Sequence, residues 1–561
     1  MIQKNSMPLT PYRRRAQYAV LAAIACATLL FGCTTPALKS PTAETALPAT
    51  LPAPAVAPLS AVPATTSVSG MPPPAPREFR AVWVSTVANI DWPSRADLSV
   101  AKQKAEIETT LDRARALNLN AIILQVRPSA DAIYPSQLEP WSEYLTGRQG
   151  RAPEPFYDPL KTWIDSAHAR GMELHAWFNP YRARHSTAKT PNVREHIAVR
   201  NPAAVKAYGK TLWMDPGEPA AADQTLAVML DVVKRYDVDG VHIDDYFYPY
   251  PITADAGPGD NGLSATANRP EIDFPDEPSW GRYVAGGGKL GRADWRRDNV
   301  NALVARIYSG VHKEKPWVKV GISPFGLPKP ERRPAGIIGF SQYDKLYADA
   351  ELWFNKGWVD YFSPQLYWPA AQAGQAFPVL LDYWMTQNLA GRALWPGLYT
   401  SRVGDKTARA FPVEEITGQI DITRARSVGG QVHFSMAALS QNRDGLSKTL
   451  AANQYATPAL VPAMPWLDKN LPAQPSVSVS SKADLPAEIT LQPGAGKPVA
   501  WFAIWSECDG GWRFMVKPAV RSVIQPGSDG KCKAPGKVVV SAIDRVGNES
   551  EKTVVNIMRK P

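Results

Sequence analysis

The chain has 561 residues, of which 45% are apolar, and its formal net charge is +10. This length predicts two or three structural units, and the apolar fraction is that of a globular protein with a large core. Residues 1–32 contain four basic residues and no acid, so the rest of the chain carries a charge of +6 and is only mildly basic. Because no basic block is interleaved with aromatic residues, the composition argues against nucleic acid as a partner.

The N-terminal segment, residues 1–32, has the pattern of a secretory signal peptide. The basic stretch MIQKNSMPLTPYRRR is followed by the apolar stretch AQYAVLAAIACATLLFGC, which is too short and wrongly flanked for a membrane span. Its end, LLFGC, resembles a lipobox, although Phe31 stands where that motif prefers a smaller residue. The resemblance implies that Cys33 is the acylated first residue of the mature protein. An ordinary signal peptide cut nearby is the alternative.

Residues 33–76 are predicted to be the lipidated cysteine and a proline-rich tether. Eleven prolines lie among Ala, Thr and Ser in residues 34–76, and large apolar residues are few. Such a segment cannot bury enough surface to fold. We therefore expect an extended, semi-rigid connection between the lipid and the folded body.

From Phe79 onward, short apolar stretches alternate with helical patterns, which predicts parallel strands joined by right-handed crossovers. The eight expected strands lie near residues 80–87, 121–127, 173–178, 239–245, 318–323, 359–367, 393–399 and 430–436. Eight such units fit an α/β fold of the (β/α)₈ TIM-barrel type better than an open doubly wound sheet. No glycine-rich phosphate loop follows the first strand, which also argues against a nucleotide-binding fold. We assign the barrel to residues 77–455.

Residues 475–561 show short alternating runs such as VAWFAIWS and KVVVSAID, which predict a small all-β sandwich. The stretch SAIDRVGNES resembles the last hairpin of fibronectin-type-III-like modules in secreted enzymes. Cys508 and Cys532 are the two cysteines left once Cys26 leaves with the signal peptide and Cys33 takes lipid. A disulfide is the natural use of such a pair in an oxidising compartment.

Polar and aromatic side chains follow the predicted strands at their carboxyl ends, where a (β/α)₈ barrel places its active site. The candidates for substrate binding are Asp91, Trp92, Arg127, His175, Asn179, Tyr181, Arg182, His242, Tyr246, Gln365, Tyr367 and Trp368. Aromatic rings cover the apolar C–H faces of sugars, while carboxylates, amides and guanidinium groups bind their hydroxyls. Any one of these aromatics alone is more often part of a core, but their concentration at successive strand ends predicts a carbohydrate cleft.

A metal centre is the alternative use of His175, His242 and His433, which lie on three different predicted strands, with Asp244 as a fourth ligand. No close ligand pair such as HxH or HExxH supports it. We therefore expect no metal and no cofactor. The histidines are expected to lie inside the barrel or to orient the substrate.

Five blocks along the chain resemble the glycosyl-hydrolase-like family 10. They are REFRAVWVSTVANIDWPS, LNLNAIILQVRPSADAIYPS, HAWFNPYR, VDGVHIDDYFYPYP and GWVDYFSPQLYW, and they place the resemblance over roughly residues 77–440. The resemblance implies a barrel that hydrolyses glycosidic bonds and, for lipid-anchored members of Gram-negative bacteria, peptidoglycan glycan strands as the substrate. Thr34 after Cys33 resembles the outer-membrane sorting pattern, so the expected location is the outer membrane, facing the periplasm.

The stretch VDGVHIDDYF places two adjacent carboxylates at the end of the fourth predicted strand. Alternation along a strand puts His242 and Asp244 on one side, and Val241, Ile243 and Asp245 on the other. The apolar side should pack against the helices, so Asp244 faces the barrel axis and is the first catalytic candidate. Asp245 is expected at the rim, or in the cleft if the strand bulges there.

Two mechanisms stay open for the second catalytic group. In the commoner scheme two carboxylates face each other across the cleft; Asp131 and Asp91 are the candidates, because the seventh predicted strand has no acid. In the other scheme the acetamido oxygen of an N-acetylated sugar attacks the anomeric carbon. DGVHIDDYFYP is similar to the fourth strand of family 18 chitinases, with Asp244 on the last aspartate of that pattern. The general-acid glutamate of the pattern falls on Tyr246.

Two other functions also stay open. A glycosidase that acts on another polysaccharide would differ only in its loops, and the sequences of those loops do not indicate which polysaccharide is cleaved. A non-catalytic cell-wall-binding lipoprotein would keep the aromatic cleft but lack a competent pair of acids. The absence of an acid from the seventh predicted strand, together with Tyr246 in place of the general-acid glutamate, keeps this second alternative open.

Overall fold

The computed structural model describes residues 70–253, 270–480, 488–508, 511–519, 523–525 and 536–557. The predicted signal peptide, Cys33 and nearly all of the predicted tether lie outside these ranges. Within these ranges, no helix is both long enough and apolar enough to cross a membrane.

Eight parallel strands form the central barrel, as predicted. They span Phe79–Val84 (β1), Ala121–Arg127 (β2), Glu173–Phe178 (β3), Gly240–Ile243 (β4), Lys319–Ile322 (β5), Tyr361–Phe362 (β6), Ala393–Leu394 with Gly397–Leu398 (β7) and Gly430–His433 (β8). Strands that follow one another in the chain are paired, and β8 pairs back onto β1. The first segment of β7 pairs with β6 and its second segment with β8, so the interrupted strand completes the ring.

A helix follows each strand on the outside of the barrel. These crossover helices are Val100–Ala116, Pro159–His168, Pro219–Arg235, Arg292–Glu314, Ala350–Lys356, Phe377–Thr386, Val413–Ala425 and Leu446–Ala452. Three of them begin at residues whose side chains cap the first turn: Ser99 accepts from the backbone N–H of Lys102, Asp158 from that of Lys161 and Asp349 from that of Leu352. Such caps satisfy N–H groups that have no partner within the helix.

The loops at the carboxyl ends of the strands carry further elements. A three-stranded antiparallel sheet of Arg182–Arg184, Val205–Tyr208 and Thr211–Met214 follows β3, and a pair of strands, Ile252–Thr253 and Glu271–Ile272, follows β4. Shorter α-helices span Glu143–Thr146, Ile197–Arg200, Glu277–Ala285, Gln342–Lys345 and Met436–Ser440. Turns of 3₁₀ helix span Val87–Asn89, Pro202–Ala204, Pro330–Arg332, Thr400–Arg402 and Arg443–Gly445.

The C-terminal residues form two antiparallel sheets, in agreement with the predicted all-β domain. One sheet contains Ser476–Ser480, Glu488–Gln492 and Val523–Ile524; the other contains Trp501–Cys508, Gly511–Pro518, Lys537–Ile543 and Thr553–Asn556. Leu491 of the first sheet and Ile504 of the second belong to one buried apolar cluster. Cys508 is disulfide-bonded, and its predicted partner Cys532 lies outside the described residues. A relationship to fibronectin type III modules stays a prediction.

The C-terminal domain contacts the amino-terminal ends of the barrel strands. The Arg545 guanidinium lies 2.6 Å from Asp239, next to the start of β4, and the Arg545 carbonyl accepts from Lys319 Nζ of β5 at 2.9 Å. The linker residue Trp466 donates to Asp360, immediately before β6, at 2.9 Å. These contacts lie opposite the strand ends at which the site is predicted.

Candidate active site

A cleft of about 510 Å³ opens at the carboxyl ends of the barrel strands. Six of the predicted site residues line it: Arg182, Asp244, Asp245, Tyr246, Gln365 and Tyr367. They come from the loops that follow β3, β4 and β6. The barrel thus brings together side chains that lie as much as 185 residues apart in the sequence.

Both adjacent carboxylates reach this cleft. Val241 and Ile243 lie in the apolar cluster between strands and helices, and His242 faces the barrel interior, as the alternation predicts. The regular strand ends at Ile243, so Asp244 and Asp245 belong to the loop, where alternation no longer assigns them to opposite sides. Asp245 therefore lies in the cleft rather than at its rim.

Asp244 is held by donors from the neighbouring strand. One of its oxygens, Oδ2, accepts from Trp177 Nε1 at 3.1 Å and from Asn179 Nδ2 at 2.6 Å. Its other oxygen, Oδ1, accepts from the backbone N–H of Tyr246 at 3.3 Å. Because all three partners are N–H groups, which only donate, the set favours the ionised carboxylate.

Asn179 lies behind the carboxylate and is itself fixed by two donors. Its Oδ1 accepts from Gln125 Nε2 at 2.5 Å and from Arg182 Nη2 at 2.9 Å. The amide oxygen is thereby fully occupied, which turns the Asn179 NH₂ group toward Asp244. Asn179, predicted to bind substrate, instead positions a group that does line the cleft.

Asp245 has a different set of partners. The Tyr250 hydroxyl donates to its Oδ2, and the Gln365 side chain also hydrogen-bonds to it. Gln365 Nε2 in turn donates to the Ser323 carbonyl at 2.8 Å. A tyrosine hydroxyl donates or accepts, so Asp245 keeps a partner whether or not it carries a proton.

Burial raises the pKa of both carboxyls. For Asp244 the negative charge of Asp245 adds to this effect, while Arg182 opposes it. For Asp245 the hydrogen bonds from Tyr250 and Gln365 oppose it. Two carboxyls this close do not both ionise easily, so the pair holds one proton over a pH range in which isolated aspartates have none.

Two predicted site residues, Arg127 at the end of β2 and Asp131 in the loop that follows it, lie outside the cleft. Both oxygens of Glu139 pair with Arg127, at 2.5 and 2.8 Å, and neither residue is exposed. Asp131 accepts from the backbone N–H of Ser129 at 2.9 Å, and burial raises its pKa to about 7. These residues stabilise the loop, and Asp131 is not placed to act as a second carboxylate across the cleft.

Three predicted aromatic residues pack beside the cleft rather than in it. Trp92 is 1% exposed and donates to the Gln103 carbonyl at 3.2 Å, and Tyr181 is fully buried. Trp368 is half-buried, with its ring against Phe325 at a centroid distance of 5.6 Å. At these three strand ends the aromatic ring packs within the protein rather than facing the cleft, because burial of its large apolar surface is favourable in free energy.

His175 and His242 lie deeper in the barrel, below the cleft. The Tyr361 hydroxyl is 2.8 Å from Nδ1 of His175 and 3.0 Å from Nδ1 of His242. Their Nε2 atoms lie 3.0 Å from Glu173 and 2.9 Å from Ser323, respectively. Within the described residues, no cluster of three or more metal-ligating side chains is present. Both histidines belong to the polar interior of the barrel.

Asp91 joins the loops that follow β1 and β8. It accepts from the backbone N–H of Ser85 at 2.8 Å and of Ala437 at 2.7 Å, and from Ser435 Oγ at 2.8 Å. Burial raises the pKa of Asp91 to about 6, although these donors lower it. Asp91 was predicted to bind substrate or to serve as the second acid, and the structure places it outside the cleft as a link between two strand ends.

Replacement of Asp91 by alanine should lower the free energy of unfolding by about 2–4 kcal/mol, because it leaves three donors without their acceptor. Urea unfolding followed by circular dichroism measures the change. Asp97→Ala is the matched control: its carboxylate forms only an exposed pair with Arg95, worth about 0–1 kcal/mol. Equal small losses in both variants would contradict this role of Asp91.

Several residues of the cleft were not predicted. They are Trp83, Tyr208, Lys210, Trp213, Tyr250, Phe325 and Phe434. Trp83 occupies an inward position of β1, so strict use of strand alternation would have found it. Tyr208 and Lys210 belong to the hairpin of the sheet that follows β3. They lie far along the sequence from the carboxyl end of any barrel strand, and no local pattern indicates that they reach the cleft.

An aromatic cleft with paired carboxylates at the mouth of a (β/α)₈ barrel defines a glycoside-hydrolase type of site. The chain belongs to the glycosyl hydrolase-like 10 family, which it matches over residues 78–410. It is 41% identical to glycosyl hydrolase YngK of Bacillus subtilis over 419 residues, covering 72% of this chain and 76% of YngK. It is 33% identical to glycosyl hydrolase DigH of Escherichia coli over 402 residues, covering 66% of this chain and 84% of DigH.

Two solved glycoside hydrolase structures align with this chain at low sequence identity. The PgaB (BpsB) glycoside hydrolase domain from Bordetella bronchiseptica aligns with a TM-score of 0.41 and 14% identity, covering 67% of this chain and 98% of that domain. The endo-β-1,4-mannanase from Thermotoga petrophila aligns with a TM-score of 0.38 and 7% identity, covering 87% of this chain and 98% of the mannanase chain.

Proposed function

We propose that this protein hydrolyses glycosidic bonds in peptidoglycan glycan strands and uses the acetamido group of the substrate as the nucleophile. The observation that carries the proposal is the placement of acids in the cleft. Among the described residues that line it, Asp244 and Asp245 are the only carboxylates. They are neighbours in the sequence and extend from one loop.

Two carboxylates from one loop suit a substrate-assisted reaction. Displacement by an enzyme carboxylate needs an acid on one side of the sugar and a nucleophile on the other, and both Asp91 and Asp131 lie outside the cleft. An N-acetylated sugar carries its own oxygen nucleophile beside the anomeric carbon. Both sugars of peptidoglycan, N-acetylglucosamine and N-acetylmuramic acid, carry that group.

The hydrogen bonds divide the roles between the two carboxyls. Asp244, held by N–H donors, is the ionised group that orients the acetamido N–H. An acetamido N–H that binds Asp244 favours the charge on that carboxylate, so in the complex the shared proton passes to Asp245, whose Tyr250 partner accepts either protonation state. Asp245 is then the general acid. Tyr246, which occupies the position of the family 18 glutamate, has its ring 4.8 Å from the Arg182 guanidinium and serves as wall.

The reaction then runs in two displacements. Asp245 donates its proton to the glycosidic oxygen as that bond breaks, while the acetamido oxygen bonds to the anomeric carbon and forms an oxazolinium ion. The N–H of this ion donates to Asp244, whose charge stabilises it. Water next attacks the anomeric carbon, Asp245 takes the proton of the water, and the ring opens to restore the acetamido group. Two inversions at one carbon leave the configuration retained.

The walls of the cleft fit this substrate. The rings of Tyr367 and Tyr399 lie 4.7 Å apart, and Phe434 lies 5.9 Å from Tyr367. Trp83 and Trp177 also line the cleft beside the carboxylates. Aromatic surfaces of this kind cover the C–H faces of pyranose rings. Tyr367 is assigned to hold the acetamido group, because the NH₂ group of Gln365 already donates to the Ser323 carbonyl and to Asp245.

The proposed location follows from the N-terminal sequence. A lipid on Cys33 would anchor the chain in the outer membrane, and the proline-rich tether would let the barrel reach the wall from the periplasmic side. The C-terminal domain, docked at the opposite end of the barrel from the cleft, would act as a spacer.

Replacement of Cys33 by alanine tests the anchor. We expect the Cys33→Ala chain to be exported but no longer recovered with the membrane fraction of the cells; unchanged recovery with the membranes would contradict the anchor.

A substrate comparison tests the proposed activity. Purified peptidoglycan strands, chitin oligosaccharides and a polysaccharide without N-acetyl groups are each incubated with the full chain, and new reducing ends are counted. We expect release from peptidoglycan strands and none from the third substrate. Release from the third substrate alone would favour a glycosidase of another polysaccharide, and strand binding without release would favour a wall-binding protein.

A further inference from the structure

The sheet that follows β3 forms one wall of the cleft, and the tip of its hairpin presents a lysine. Tyr208 pairs with Thr211, which leaves Gly209 and Lys210 as a two-residue turn. Gly209 has a φ of +59°, a left-handed conformation that glycine adopts without strain. Lys210 lines the cleft and is exposed, and among the described residues no carboxylate lies within ion-pair distance of it.

This hairpin tip is held in place on two sides. The Tyr208 hydroxyl donates to the Ile272 carbonyl at 2.6 Å and accepts from the backbone N–H of Ile252 at 3.2 Å. A Cβ on Gly209 would lie 3.0 Å from Cδ1 of Ile252, so the turn packs closely against that side chain. Thr211 Oγ1 donates to the Tyr208 carbonyl at 2.8 Å. The backbone of Lys210 is therefore preorganised, and only its side chain must order when a ligand binds.

The other basic groups on this wall are not available in the same way. Arg182 is buried, and its guanidinium donates to Asn179 and to the Pro128 carbonyl. His185 is neutral at pH 7, because burial and the Arg182 charge lower its pKa to about 4. Lys210 is thus the group on this wall that offers an uncommitted positive charge to a ligand.

We propose that Lys210 forms a carboxylate subsite that binds the free lactyl carboxylate of an N-acetylmuramic acid residue. The inference rests on the proposed function, since it concerns the same cleft. Of the two sugars in the strand, only the muramic acid residue carries an acid, so a cation on the wall of the cleft that also holds Asp244 and Asp245 sets the register of the strand. A glucosamine-only polymer has no group for this subsite.

Binding to two matched tetrasaccharides tests the inference. One alternates N-acetylglucosamine and N-acetylmuramic acid with free lactyl carboxylates; the other contains only N-acetylglucosamine. Affinities are measured by calorimetry with the full chain carrying Asp245→Asn, so that neither ligand is cleaved. Lys210→Gln is compared with Lys210→Arg, which keeps the charge, and with Lys289→Gln, an exposed lysine outside the cleft.

We expect Lys210→Gln to weaken binding of the acidic tetrasaccharide by about three- to tenfold more than binding of the neutral one, in line with a partly exposed ion pair. Lys210→Arg should bind the acidic tetrasaccharide nearly as well as the chain that keeps Lys210. Salt at 0.5 M should reduce the extra loss seen in Lys210→Gln, and Lys289→Gln should show no such loss. Equal losses for the two ligands, or none for either, would overturn the subsite while leaving the proposed function standing. Failure of the chain that carries Asp245→Asn alone to bind either ligand would overturn both.

Discussion

Asp245→Asn should lower kcat/KM on peptidoglycan strands by about 10²- to 10⁴-fold, the usual contribution of a general acid. The amide keeps the size of the side chain and a hydrogen bond with Tyr250 but has no proton to give to the leaving oxygen. The affinity for the glycan strand should stay within about threefold of that of the unsubstituted protein, because the contacts that bind the substrate before reaction are kept. Initial rates of reducing-end release and strand binding by calorimetry measure the two quantities.

The same measurements on Asp244→Asn separate the two carboxyls. Loss of the negative charge beside the oxazolinium ion should cost about 10²- to 10³-fold in kcat, comparable to loss of one stabilising group at an oxyanion. Asp298→Asn, which changes an exposed aspartate outside the cleft, is the matched control. More than a tenth of the original activity in either cleft variant, with the fold intact, would contradict the assigned roles.

Removal of the N-acetyl groups from the glycan should abolish turnover, with a loss of at least about a thousandfold. The acetamido oxygen is held beside the anomeric carbon, and a nucleophile so placed has an effective molarity of about 10⁵ M or more. A free amine at the same carbon supplies neither that oxygen nor the N–H that Asp244 orients. The measurement is reducing-end release from strands before and after chemical de-N-acetylation.

Chemical re-acetylation provides the control for that experiment. It should restore turnover of the same strands, which shows that the chain length and solubility of the glycan were not at fault. Undiminished activity on the de-acetylated strands would show that the protein supplies its own nucleophile.

The barrel was predictable because each of its units repeats one physical pattern. Apolar strands such as AIILQVR are buried on both faces, and the helices between them are amphipathic, so the periodicity alone predicts the order of elements. The two segments of β7 were expected as one strand. Trp395 and Pro396 interrupt it, and a proline cannot donate to the ladder of hydrogen bonds.

The site was predictable only in part, because a strand end shows where a residue lies along the barrel but not which way the next loop turns. The alternation of side chains along β4 predicted correctly that His242 faces the barrel interior. It failed for Asp245, because the strand ends at Ile243. Asp131 follows β2 but turns back to bind the Ser129 N–H. Lys210 reaches the cleft through a hairpin whose position depends on packing against Ile252, a contact between residues distant in sequence.

The anomeric configuration of the first product tests the central claim most directly. Proton nuclear magnetic resonance, recorded during the first minutes of cleavage of peptidoglycan strands by the full chain, distinguishes the two anomers before they interconvert. The account predicts that the new reducing end appears first in the configuration of the bond that was cleaved. The opposite anomer would contradict substrate assistance, and bound but uncleaved strands would contradict glycosidase activity on this substrate.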